Sequence, residues 1–95
     1  MFSFFARNTS NEEARRRVAA GAILLDVRTP GEFAEGHVQG AKNIPVQELA
    51  NRLGELPKGA DVVVYCRSGA RSAMASQMLK GRGHTVLDVG PMSAY

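Results

Sequence analysis

The sequence has 95 residues, 44% of them hydrophobic, and carries a net charge of +3 from 12 Lys and Arg against 9 Asp and Glu. That length suits one domain, 1–95, with a modest core and little room for a second site. One cysteine excludes an internal disulfide, no stretch approaches a membrane span, and the basic balance comes without a recognisable nucleic-acid module.

The opening Met1-Phe2-Ser3-Phe4-Phe5-Ala6 is too short for a signal-peptide core; Arg7 breaks it and Glu12 and Glu13 follow, so a cytoplasmic protein is expected. Ser10-Asn11-Glu12-Glu13 reads as a capping box that opens a helix, with Ala14 and Val18 facing inward and Gly21 as the stop. Arg15-Arg16-Arg17 point in different directions on that helix and read as a solvated face. Ile23 to Val27 is a continuous apolar run with an acid near its end, the pattern of a parallel strand buried on both faces. Thr29-Pro30-Gly31-Glu32-Phe33 starts a short helix, with Pro30 suited to its first turn.

Gly36 to Gly40 is turn-like, and Asn43-Ile44-Pro45 is at most a short strand. Val46, Leu49, Ala50 and Leu53 follow helical spacing, which ends around Leu56-Pro57-Lys58-Gly59. Asp61 to Cys66 is the second clear buried strand. Met74, Ala75, Met78 and Leu79 form a stripe expected to fill the core, Gly81-Arg82-Gly83 stops their helix, and Thr85 to Val89 is a third strand. Strands alternating with helices imply an α/β fold with a mostly parallel sheet flanked by helices.

Cys66 stands where the second strand meets a loop containing Arg67, Ser68, Gly69, Ala70 and Arg71, with a helix expected from near Ser72. A free cysteine is commonly buried and inert. This one sits at a strand end beside two arginines, in a loop whose N–H groups and following helix N-terminus converge on the sulfur. Such an electropositive, partly exposed setting lowers a thiol's pKa below the free value of about 8.5 and makes it a nucleophile. Ligands of parallel sheets sit beyond the carboxyl ends of the strands, where Cys66 and Asp26 share an edge. A pairing of Arg71 with Asp26 is expected there. Asp26 and Arg28 read as structural ions, His37 as a hydrogen-bonded structural histidine and His84 as a surface turn residue. One Cys and two separated His supply too few soft ligands for zinc, so no metal or cofactor is expected.

Leu25-Asp26-Val27-Arg28, Glu32-Phe33, Gly36-His37-Val38, Gly40-Ala41 and Asn43-Ile44-Pro45 resemble the first half of a rhodanese domain. Cys66-Arg67-Ser68-Gly69-Ala70-Arg71-Ser72 resembles the sulfurtransferase active-site loop of small bacterial rhodaneses. The resemblance runs from about Ile23 to Gly90. It implies a central five-stranded sheet whose first, peripheral strand would fall near Phe4-Phe5. It also implies a thiosulfate sulfurtransferase that moves a sulfane sulfur, through a persulfide on Cys66, to a thiol or cyanide acceptor. The loop from Arg67 to Arg71 would surround the persulfide, and Arg67 and Arg71 would hold the donor's oxyanion. Pro91 after Gly90, and Tyr95 where a tryptophan is usual near the end, depart from the pattern.

Two other functions fit parts of this reading. A sulfur carrier would use the same persulfide and hand it to a sulfur-relay protein. A phosphatase or arsenate reductase on the same fold would need a nucleophile loop one residue longer, with an arginine where Ser72 stands. No nucleic-acid or membrane partner is expected.

Overall fold

The computed structural model describes the backbone of residues 2–95 and side chains from Asn11 onward. Four helices and four strands alternate: α1 Phe2–Ala19, β1 Ile23–Asp26, α2 Pro30–Glu35, β2 Lys42–Asn43, α3 Val46–Arg52, β3 Asp61–Cys66, α4 Ala70–Gly81 and β4 Thr85–Pro91. Short 3-10 turns follow α3 at Leu53–Glu55 and β4 at Met92–Ala94. The strands form one parallel sheet in the order β2-β1-β3-β4.

The central pair, β1 and β3, was the most legible feature of the sequence. Each is a nearly unbroken apolar run, as a strand covered on both faces must be. Successive side chains alternate between two cores. Leu25, Val27, Val62, Val64 and Cys66 pack on the α3 and α4 side, against Leu49, Leu53, Ala75 and Leu79. Leu24, Val63 and Tyr65 pack on the α1 side, with Ala14 buried and Val18 against them as expected. The strand period of two therefore sends Cys66 and Tyr65 to opposite faces of the sheet.

Four expectations are corrected. The sheet has four strands among the described residues: Phe4 and Phe5 lie within α1, in a segment without the β-branched alternation a strand needs. The helix assigned to the Ser10 box likewise runs from Phe2, and the Ser10 side chain lies outside the described side chains. Met74 is exposed, because the buried face of α4 is formed by Ser72, Ala75, Ser76 and Leu79, with Met78 at its margin. His84 is buried and hydrogen-bonded to the Ala60 carbonyl.

The expected solvated face of arginines is also partly engaged: Arg17 pairs with Asp61 at the start of β3, and Arg15 lies over the Tyr95 ring. A capping box forms at α2, where Thr29 Oγ1 accepts from the Glu32 N–H and the Glu32 carboxylate accepts from the Thr29 N–H.

At the far end of β4 the register slips. Val64 faces Asp88, but Tyr65 faces Gly90, so Val89 is an extra residue, and Pro91 comes to lie opposite Cys66. Gly90 takes φ +85° at this bulge, and its N–H is held by the Asp88 carboxylate at 2.9 Å. The departure noted at Gly90-Pro91 therefore falls within the sheet, with Pro91 as the last residue of β4. No helix of the described residues is long and apolar enough to cross a membrane.

Candidate active site at the carboxyl edge of the sheet

β3 ends at Cys66 and α4 begins at Ala70, two residues before the expected start. Gly69 is the N-cap residue, with φ +108°, a conformation that disfavours a side chain; a Cβ there would also stand 4.0 Å from Gly90 Cα. This tight turn folds the chain back over the sulfur. The Gly69 N–H donates to Cys66 Sγ at 2.9 Å. Cys66 S–H donates to Ser72 Oγ at 3.4 Å, and the Ser72 hydroxyl donates to the Gly69 carbonyl at 3.1 Å.

Burial pushes the Cys66 thiol up, but the Ser72 hydroxyl and the N–H groups of Ser72, Gly69 and Ser68 push it down, and together they prevail. The thiol's pKa therefore lies below its ordinary value, as the sequence suggested, with a different principal cause. The Ser72 hydroxyl and the loop N–H groups lead the acidifying, and Arg71, although paired with Glu32, adds a weaker Coulombic attraction to the sulfur. Cys66 is also fully buried, not partly exposed as expected. Ser72 was missed as a site residue. The readable signal was a small hydroxyl-bearing residue in the first turn of the helix that follows the cysteine.

Arg71 does not reach Asp26. Its guanidinium makes a bidentate pair with Glu32, at 2.6 and 3.0 Å, tying α4 to α2. That pairing, aided by the Thr29 N–H, holds the Glu32 carboxyl down to about 2. Asp26 is instead claimed by its neighbour Arg28. The Arg28 side chain donates to both carboxylate oxygens at 2.7–3.0 Å, and its N–H donates to Oδ1 at 2.9 Å. The same guanidinium reaches the Gly36 carbonyl at 2.7 Å. Asn43 Nδ2 donates to the carbonyls of Asp26 and Arg28, both at 3.0 Å. These bonds stitch the end of β1 to β2 and to the turn after α2, the structural role expected for the pair.

His37 Nδ1–H donates to the Phe33 carbonyl at 2.8 Å and its ring stacks on Phe33, also as expected. Tyr65 Oη, on the other face of β3, accepts from the Val38 N–H at 3.2 Å; burial pushes its phenol up to about 12.

Beyond the ends of β1, β3 and β4 lies a cleft of about 340 Å³ lined by Arg28, Glu32, Glu35, Gly36, Arg67, Met92 and Ser93. The Arg67 side chain is 75% exposed and lies only at 3.9 Å from Glu32, so of the two loop arginines it is the one with free donors. Ser68 and Ala70 contribute backbone to the turn. An anion entering the cleft would meet Arg67 and Arg28, with the carboxylates of Glu32 and Glu35 on the same wall and Glu32 held by Arg71.

The rhodanese-like domain profile matches residues 10–90, and the chain belongs to that family. It is 45% identical over 62 residues to a sulfurtransferase of Allochromatium vinosum, covering 65% of this chain and 58% of that protein. It is 41% identical over 70 residues to the thiosulfate sulfurtransferase PspE of Escherichia coli, covering 72% of this chain and 67% of that one. The solved structure of the human single-domain sulfurtransferase TSTD1 superposes with a TM-score of 0.69 at 31% identity, over 88% of this chain and 87% of that one.

Proposed function

We propose that this protein is a sulfurtransferase that carries a sulfane sulfur as a persulfide on Cys66, with thiosulfate or a similar anion as donor. The observation that carries this reading is the convergence of N–H donors and the Ser72 hydroxyl on a buried sulfur whose pKa they lower. The ionised Sγ attacks the outer sulfur of thiosulfate. A new S–S bond forms, the donor's S–S bond breaks, and its electron pair leaves with sulfite. The N–H groups then face the terminal persulfide sulfur and stabilise its charge. A thiol or cyanide acceptor attacks that sulfur and returns the electron pair to Cys66 as thiolate.

Arg67, at the mouth of the cleft, meets the donor's oxyanion. Ser68, Gly69 and Ala70 shape the cradle, and Arg71, held by Glu32, fixes the helix start. Cys66 is fully buried in the resting structure, so loading requires the sulfur to become accessible to the donor. A carrier that passes the sulfur to a relay protein would use the same persulfide, and the acceptor decides between the two. Phosphatase or arsenate-reductase chemistry is disfavoured by the short loop: Arg71 turns out to Glu32, and Ser72, not an arginine, stands at the sulfur. Turnover with thiosulfate and cyanide, followed as thiocyanate, tests the enzyme reading. Persulfide formation without turnover would favour the carrier.

A further inference from the structure

A second cleft, of about 440 Å³, opens at the opposite end of the sheet. Leu53, Leu56 and Pro57 form its apolar wall; Lys58, Arg82 and His84 are its charged or titratable lining. Its size is in the range of small-molecule sites, and no carboxylate lines it. The acids nearest in the chain are already engaged: Glu55 by Arg52 and Lys42, and Asp61 by Arg17. No carboxylate of the described residues lies within ion-pair distance of Lys58 or Arg82.

The last turn of α4, the negative end of its helix dipole, is capped in part by the following backbone. Leu79 O accepts from the N–H groups of Arg82 and His84, and Lys80 O accepts from Gly83. The third lining group is the informative one. His84 is only 8% exposed, and its Nδ1 lies 3.0 Å from the Ala60 carbonyl. A carbonyl only accepts, so Nδ1 carries a proton there. Nε2 makes no hydrogen bond within the described residues and is not among their fully buried unpartnered atoms, so it stays open to the solvent of the cleft that His84 lines.

We propose that this cleft binds a small multivalent oxyanion of the phosphate class, held by Lys58, Arg82 and Nε2 of His84. A protonated imidazole would donate from Nε2, and a neutral one would accept the acidic proton of a hydrogen phosphate. Both states therefore complete the ring's hydrogen bonding. An organic ester would rest its body on the Leu53–Pro57 wall. The proposal is independent of Cys66.

The test is a titration of the whole protein with inorganic pyrophosphate at constant ionic strength, followed by ¹H–¹⁵N and histidine-ring NMR. Saturating shifts at the amides of Lys58 and Arg82 and at the His84 ring are expected. In a Lys58→Ser/Arg82→Ser variant, which alters only exposed side chains, affinity should fall at least about tenfold. Phenyl phosphate binding more tightly than inorganic phosphate would identify the occupant as an ester, and equal binding a free phosphate. Shifts that do not saturate, that survive in the variant, or that appear only around Arg28 and Arg67 would overturn the assignment.

Discussion

Ser72 Oγ stands 3.4 Å from Cys66 Sγ, in the first turn of α4, and its own hydroxyl donates to the Gly69 carbonyl 3.1 Å away. In the thiol form the proton chain runs from sulfur to hydroxyl to carbonyl. Once the sulfur is ionised it can only accept, so the Ser72 hydroxyl turns from Gly69 to the thiolate. The serine thus serves both protonation states of the buried sulfur.

Ser72→Ala removes that switch and leaves the N–H donors in place. A hydrogen bond to a charged group is worth about 1.5–3 kcal/mol, so its loss should raise the Cys66 pKa and move the alkylation midpoint clearly to higher pH. A pH series of iodoacetamide alkylation on parent and variant measures it. An unchanged midpoint would show that the backbone N–H groups alone acidify the thiol.

The Glu32–Arg71 clamp has a pH signature. Glu32 is held down to about 2 in the folded state, below its ordinary 4.5. A depressed carboxylate contributes stability that is fully present above the ordinary value and is lost as pH falls toward the folded one. Glu32→Gln should therefore lower stability at neutral pH by about 1 kcal/mol, the scale of a partly exposed bidentate pair. The difference between parent and variant should shrink between about pH 4.5 and about pH 2. Urea unfolding at several pH values checks this, and a pH-independent difference would contradict it.

Asp26 is fully buried and Arg28 nearly so, with every contact of the carboxylate charge-assisted or to backbone. Arg28→Met would strand a buried carboxylate. Removing one partner of such a pair costs about 3–5 kcal/mol. Thermal unfolding should show a fall large enough to threaten folding of so small a protein. A fall no larger than that of an exposed charge change would place the pair outside the framework of the site.

Arg67 lines the cleft with its donors free. Arg67→Ala should raise KM for thiosulfate with a smaller effect on kcat, at a cost of about 1–3 kcal/mol in kcat/KM. Steady-state kinetics with varied thiosulfate decides it; an unchanged KM would mean that the donor's oxyanion is met elsewhere.

What could be read in advance follows from the range of each interaction. β1 and β3 were legible because burial on both faces writes an unbroken apolar run, and Cys66 was legible because it closes one. The Thr29-x-x-Glu32 box is local and written in the sequence, as is the similar Ser10-x-x-Glu13 pattern that lies inside α1. The partner of Arg71 was not readable: Glu32 is 39 residues away, and only the packing of α2 beside α4 brings them together. His84 looked like a surface turn residue because it follows Gly83 in a polar stretch. Its burial comes from the Ala60 segment folding over it. Met74 failed as core because α4 starts at Ala70 and turns small residues, Ser72 and Ala75, toward the sheet.

The central claim is that Cys66 carries the sulfur. Its most direct test is intact-protein and peptide mass spectrometry after incubation with thiosulfate and removal of excess donor, on the parent and on Cys66→Ser. The account predicts a gain of one sulfur atom on the peptide containing Cys66, reversed by cyanide and absent in the folded serine variant. A parent protein that gains no sulfur, or a serine variant that gains as much, would contradict it.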